Sequence, residues 1–213
     1  MNIERKDLLL YAVTDRNCLH GISLENAVEQ AILGGATCIQ LREKAVDEDE
    51  LINEAKKLIE VCHRYNVPII INDDYEAALK CGADGVHVGI EDAPVAEIRR
   101  IAGKNFIIGA TAKTIEQARL AESSGADYLG VGAVFPTGSK DDAVEVSHET
   151  LKAICEAVSI PVVAIGGITV NNTPELAGSG ICGIAVISAI YGQKDIYQAT
   201  VSLKKVTEEM VGV

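Results

Sequence analysis

The segment Gln40-Leu41-Arg42-Glu43-Lys44 sets an amide and two cations at alternate positions. Alternate side chains of an extended strand share a face, so Gln40, Arg42 and Lys44 would point the same way. Arginine can grip two phosphate oxygens at once and lysine adds a point charge, so the trio is a candidate pyrophosphate clamp. The competing reading is a solvated strand end with an ion pair through Glu43. Further on stand Asn72-Asp73-Asp74 and Glu91-Asp92. Carboxylates at the ends of neighbouring strands suit Mg²⁺, which takes oxygen ligands, typically one or two carboxylates plus substrate phosphates. N-capping of the helices that follow is the alternative, and it fits Asp74 better than Asp73. Phe135-Pro136-Thr137-Gly138-Ser139-Lys140 combines small hydroxyls, a glycine and a lysine, a composition suited to an anion-binding loop. The polar segment onward to Val146 is long enough to serve as a lid, or else it is a surface turn. Gly166-Gly167-Ile168 and Val186-Ile187-Ser188 would let backbone N–H groups approach a second phosphate. His87 lies within an apolar run and reads as a satisfied barrel residue. No Ser-His-Asp set can be assembled.

These residues need elements to position them. Short apolar runs recur at Leu8–Val13, Cys38–Leu41, Pro68–Ile71, Gly85–Val88, Phe106–Ile108, Tyr128–Phe135, Pro161–Ile165 and Gly183–Ile190. They are rich in β-branched residues and bounded by Gly, Pro, Asn or Asp, as buried strands are. Helical spacing lies between them. Ser23 caps a pattern through Leu24, Ala27, Val28, Ala31 and Ile32, and another runs from Asp47 to Tyr65. Thr114 and Ser147 open two more, Asn171 is expected to open the seventh, and the last passes through Ile196, Ala199, Leu203 and Val206. Strict alternation of strand and helix implies parallel strands with right-handed crossovers, and eight units can close into a (β/α)8 barrel. An internal repeat agrees. Gly34-Gly35-Ala36-Thr37, Cys81-Gly82-Ala83-Asp84, Ser124-Gly125-Ala126-Asp127 and Gly178-Ser179-Gly180-Ile181 precede the second, fourth, sixth and eighth strands. An open doubly wound sheet is the rival, disfavoured by the lack of G-x-G-x-x-G after the first strand. In a barrel of this kind the strand C-termini carry the active site, and all the groups above follow strands.

Composition sets the outer bounds. The 213 residues fit one barrel domain spanning residues 1–213. With 48% hydrophobic and 23% charged residues the chain is globular rather than disordered. Aromatics amount to 4% with no Trp, which leaves the core to Ile, Val, Leu and Ala. A net charge of −12 disfavours nucleic-acid binding but leaves room for an anionic small molecule held by clustered cations and a metal. The cysteines at 18, 38, 62, 81, 155 and 182 form no C-x-x-C pair and read as small buried hydrophobes. A charged N-terminus without a long apolar run suggests no signal peptide, and no run approaches a membrane span. A cytoplasmic protein with reduced thiols is expected. Self-association into a homo-oligomer is left open.

With these groups together on one barrel, the sequence resembles the thiamine-phosphate synthase family. The resemblance runs from Tyr11-Ala12-Val13-Thr14-Asp15 to Ile187-Ser188-Ala189-Ile190. It is most specific in Gln40-x-Arg42-x-Lys44, Ile71-Asn72-Asp73, Gly85-Val86-His87-Val88-Gly89 with Glu91-Asp92, and Thr137-x-Ser139-Lys140. The resemblance implies that Gln40, Arg42, Lys44, Asn72 and Lys140 bind an aminopyrimidine pyrophosphate, with Arg42, Lys44 and Lys140 as the catalytic cations. It implies that Asp73 and Asp92 bind Mg²⁺, and that Thr137, Ser139, Gly167, Ile187 and Ser188 bind a thiazole phosphate. The family joins the two heterocycles and releases pyrophosphate by a dissociative route that needs no protein nucleophile.

Three departures from the family pattern stand out. Gly109-Ala110-Thr111-Ala112-Lys113-Thr114 replaces the usual Gly-x-Ser-x-His-Thr, so Thr111 supplies the hydroxyl near the pyrimidine. Ile90 stands where glutamine is usual. A glycine common after the lid lysine is missing. A thiazole tautomerase-like isomerase would need no pyrophosphate clamp. A non-catalytic phosphate-ligand binder has only the departures in its favour. An epimerase or aldolase would need a carboxylate pair or a Schiff-base lysine.

Overall fold

The computed structural model describes residues 3–19, 21–44, 46–137 and 145–213. Among them, eight parallel strands close into a barrel in sequence order: β1 (Leu10–Val13), β2 (Cys38–Leu41), β3 (Ile69–Asn72), β4 (Gly85–Val88), β5 (Ile107–Ala112), β6 (Tyr128–Val131), β7 (Val162–Ile165) and β8 (Gly183–Val186). The helices are α1 (Leu24–Leu33), α2 (Glu48–Arg64), α3 (Tyr75–Cys81), α4 (Val95–Ala102), α5 (Ile115–Ser123), α6 (His148–Ala157), α7 (Ser188–Tyr191) and α8 (Ile196–Val211). Capping residues start many of them. Ser23, Asp47, Asp74, Thr114, Ser147 and Asp195 each accept a backbone N–H of the first turn. No helix of the described residues is long and apolar enough to cross a membrane.

Period-two alternation along each strand divides the core in two. One set of side chains packs outward against the helices. The other fills the barrel and includes Tyr11, Cys38, Ile70, Ile107, Tyr128 and Val163. Burying one such aliphatic side chain contributes about 2 kcal/mol. Tyr128 and His87 fit because glycines face them. A Cβ at Gly109 would lie 2.1 Å from Cζ of Tyr128 and 2.5 Å from Nδ1 of His87, and one at Gly130 would lie 3.0 Å from Cε1 of His87.

The repeat has a structural purpose at the other end of the barrel. Thr37 Oγ1 accepts the N–H of Leu10 at 2.9 Å, Asp84 Oδ2 that of Ile69 at 2.9 Å, and Asp127 Oδ2 that of Ile108 at 2.7 Å. In three of the four even units one side chain therefore pins the start of the preceding odd strand. The backbone N–H groups of Thr37, Asp84 and Asp127 return bonds to Leu10, Ile69 and Ile108. In the fourth unit Cys182 N–H makes the same bond to Val162 O. The fourth repeat is thus Ser179-Gly180-Ile181-Cys182, one residue later than its spelling suggests. The left-handed glycines agree, with Gly35, Gly82, Gly125 and Gly180 at φ of 106°, 80°, 99° and 91°.

Several boundaries differ from the sequence expectation. The run beginning at Tyr128 leaves the sheet after Val131, although Val134 and Phe135 still donate to the O of Ile165, the last residue of β7, and of Gly166 just after it. The run beginning at Gly183 divides into β8 and α7, a distinction that apolar content alone cannot make. β5 extends to Ala112, and Leu8 ends a 3₁₀ turn instead of starting β1. The helix expected from Asn171 is a four-residue 3₁₀ turn, Thr173–Leu176, with Pro174 in its first turn and left-handed Gly178 soon after.

Gly109→Ala is expected to destabilise the fold by about 1–3 kcal/mol, because the added methyl meets a buried ring that has nowhere to move. Urea unfolding of the purified variant measures this, and an unchanged midpoint would contradict the packing described.

Candidate active site

Gln40, in β2, and Arg42, just beyond its end, are 5% and 9% exposed, whereas Lys44 is exposed and lines a cavity that neither of them lines. The backbone of Arg42 is held where it leaves the strand, since its N–H donates to Thr14 Oγ1 at 2.9 Å. The Arg42 guanidinium lies 3.7 Å from Asp15, and its Nε is buried without a hydrogen-bond partner among the described residues. Buried polar groups are normally paired, so an unpaired guanidinium N–H at a barrel mouth is a place for an anion. Glu43 bonds Arg16 at 3.2 Å instead of neutralising either neighbouring cation. Sequence spacing alone does not reveal the contributions of Thr14 and Asp15.

Lys44, Asn72 and Asp73 line one cavity of about 360 Å³. Asp73 follows β3 in the left-handed region, at φ of 65°, which few residues other than glycine adopt readily. Its N–H donates to His87 O at 2.8 Å, and the Asn72 amide donates to its Oδ2 at 2.6 Å. Asp74 is used differently: it caps α3 by accepting from Ala77 N–H at 2.8 Å, in line with its sequence reading. Asp92, in the loop after β4, accepts the N–H of Gly89 at 2.6 Å and lines neither of the two cavities described here. Among the described residues no three His, Cys, Asp or Glu side chains converge as a metal cluster. Asp73 and Asp92, after adjacent strands, supply carboxylate oxygens of the kind Mg²⁺ takes together with substrate phosphates.

A second cavity, of about 450 Å³, brings together Thr137, Gly167, Ile187 and Ser188. Its floor is backbone. Gly166 and Gly167 have φ of 100° and 67°, and a Cβ at Gly167 would lie 2.4 Å from Pro136 O. Glycine is required there both by conformation and by the close approach of the loop after β6. Asn172, which the sequence reading passed over in favour of Asn171, fastens this loop. Its Oδ1 accepts Thr169 N–H at 2.7 Å and its Nδ2 donates to Gly167 O at 2.9 Å. The Thr-x-x-Asn spacing was the available signal, since an Asn side chain can close a turn onto nearby backbone. α7 begins at Ser188 and is the short extra helix often found beside the phosphate site of this fold. Ser139 and Lys140, with the lid segment around them, lie outside the described residues.

A polar chain crosses the barrel beneath both cavities. Gln40 Nε2 donates to Tyr11 Oη at 2.7 Å, and Tyr11 Oη lies 2.8 Å from Tyr128 Oη. Tyr128 Oη is 3.1 Å from His87 Nδ1, and His87 Nε2 is 3.1 Å from Thr111 Oγ1. His87 is thus satisfied at both ring nitrogens, as its place in the strand suggested. Burial pushes both phenols well above the usual tyrosine range, so each keeps its proton. Burial also pushes the thiol of Cys62 up to about 12 and those of Cys155 and Cys182 up to about 11. These three cysteines are protonated packing residues.

A family model described as Thiamine monophosphate synthase matches residues 10–190. Thiamine-phosphate synthase of Clostridium tetani is 49% identical over 212 residues, covering 100% of this chain and 98% of the relative. That of Ruminiclostridium cellulolyticum is 49% identical over 200 residues, covering 94% and 95%. The solved structure of thiamine phosphate pyrophosphorylase from Pyrococcus furiosus superposes with a TM-score of 0.90 at 43% identity, covering 98% of this chain and 99% of that one. A shared fold alone would not assign chemistry, but full-length identity near one half goes beyond the fold, and the chain belongs to the thiamine monophosphate synthase family.

Proposed function

We propose that the chain condenses an aminopyrimidine-methyl pyrophosphate with a phosphoethyl-thiazole, giving thiamine phosphate and pyrophosphate. The observation that carries this reading is the presence of two separate cavities, one lined by Lys44, Asn72 and carboxylates and one lined by Thr137, Ser188 and the Gly166-Gly167 backbone, in a member of this family.

In this reading Arg42, Lys44 and Lys140 bind the pyrophosphate together with Gln40 and Asn72, and Thr111 presents its hydroxyl to the pyrimidine. Asp73 and Asp92 would hold Mg²⁺, which when bound spreads the negative charge of the departing pyrophosphate. The Arg42 guanidinium answers the same charge from a buried position, where a fixed cation acts more strongly than in water. Thr137, Ser139, Gly167, Ile187 and Ser188 seat the phosphate of the thiazole and so fix where its ring nitrogen sits. The bond between the methylene carbon and the pyrophosphate oxygen breaks, its electron pair leaving with pyrophosphate. The thiazole nitrogen then supplies the pair for the new carbon–nitrogen bond. The protein contributes no nucleophile; it holds two reactants at one distance and supplies charge where the leaving group departs.

Two variants test the assignment through thiamine phosphate formation. Asp73→Ala is expected to fold normally and lose metal-dependent activity; unchanged activity at limiting Mg²⁺ would remove Asp73 from the metal site. Ser188→Asp is expected to raise KM for the thiazole phosphate by about tenfold or more, since it sets like charges together. An unchanged KM would move that phosphate elsewhere.

A further inference from the structure

The polar chain from Gln40 to Thr111 has a direction. An amide –NH₂ can only donate, so Tyr11 Oη accepts from Gln40 Nε2. A phenol carries one proton, and that of Tyr11 therefore points to Tyr128 Oη. The single proton of Tyr128 must then go to His87 Nδ1. A histidine accepting at Nδ1 is neutral with its proton on Nε2, and that proton goes to Thr111 Oγ1. We infer that Tyr11, Tyr128 and His87 are positioning residues: a one-way hydrogen-bond relay, started by Gln40, that leaves the hydroxyl proton of Thr111 for an acceptor atom of the pyrimidine-bearing substrate. The inference rests on the function proposed above for the identity of that substrate, but not for the direction of the relay.

Three observations beyond the distances support it. The Gln40–Tyr11–Tyr128 part of the relay is buried, so water does not compete for those two bonds, while His87 and Thr111 at its far end are half-buried. The barrel is cut to fit it, because Gly109 and Gly130 leave no room for a Cβ against Tyr128 and His87. Its two ends are residues from β2 and β5 that face the barrel interior near the mouth, so it sets the donor and acceptor character of both at once. Were the Gln40 amide reversed, every bond would run the other way, His87 would carry its proton on Nδ1, and Thr111 would donate inward instead of to a ligand.

The two directions differ spectroscopically. ¹⁵N NMR of the ligand-free full chain labelled at histidine, with His87 assigned by its loss in His87→Gln, is expected to show a protonated Nε2 and an unprotonated Nδ1. Protonation at Nδ1 would overturn the inference. In Tyr128→Phe, an isosteric change, the tautomer preference is expected to weaken. KM for the pyrimidine pyrophosphate should rise about tenfold, as for one lost hydrogen bond to the ligand, with KM for the thiazole phosphate held within roughly twofold. Equal rises in both constants, or none, would reduce the relay to packing and overturn its positioning role. A wild-type chain with the Nε2–H tautomer that binds no pyrimidine pyrophosphate would overturn the function proposed above while still supporting the relay's direction.

Discussion

Closure of the barrel in a fixed register is the constraint on which the rest depends. Tyr11 lies opposite Cys38 and Val13 opposite Gln40, and a similar stagger continues around the ring to β8 and back to β1. Alternation then decides which residues meet inside and at what height. A slip of one residue on β2 would turn Gln40 and Arg42 towards the helices and Leu41 into the site. Thr37, Asp84 and Asp127 resist such slips from below, since each ties an even strand's start to its odd neighbour. The strand C-termini are thereby free to carry groups that do nothing for folding.

Those groups depart from the rules that the rest of the barrel follows. Among the described residues Arg42 is almost wholly buried with an unpaired Nε, Asp73 sits in a conformation suited to glycine, and five polar side chains run through an interior otherwise filled by Ile, Val, Leu, Ala and Cys. Departures of this kind gather at functional sites, where local cost is accepted for chemistry. Here all three lie at or just below one end of the barrel. In the function proposed above no protein nucleophile is needed, because that reaction requires only placement and charge at the barrel mouth.

Much of this was legible in the sequence. The eight strands, the parallel barrel and the capping roles of Ser23, Asp74, Thr114 and Ser147 followed from periodicity and cap residues, both of which are local signals. The partition of Lys44, Asn72 and Asp73 from Thr137, Gly167, Ile187 and Ser188 followed from asking what ends each strand. What was not legible depends on distant partners. Tyr11 and Tyr128 are 117 positions apart and look like ordinary core aromatics until the barrel closes. The pairing of Arg42 with Asp15, and the grip of Asn172 on Gly167, likewise exist only in three dimensions. The short helix after β8 was hidden because an apolar run reads alike as strand or helix, and the Thr173–Leu176 turn was overextended because only its start was signalled.

The central claim is that two separate anion sites on one barrel mouth serve a single bond-forming step. The most direct measurement is release of pyrophosphate by the purified chain given the aminopyrimidine pyrophosphate, the thiazole phosphate and Mg²⁺, with each withheld in turn. The account predicts release only when all three are present, with thiamine phosphate appearing in equal amount. Release that ignores the thiazole phosphate, or none with all three present, would contradict it.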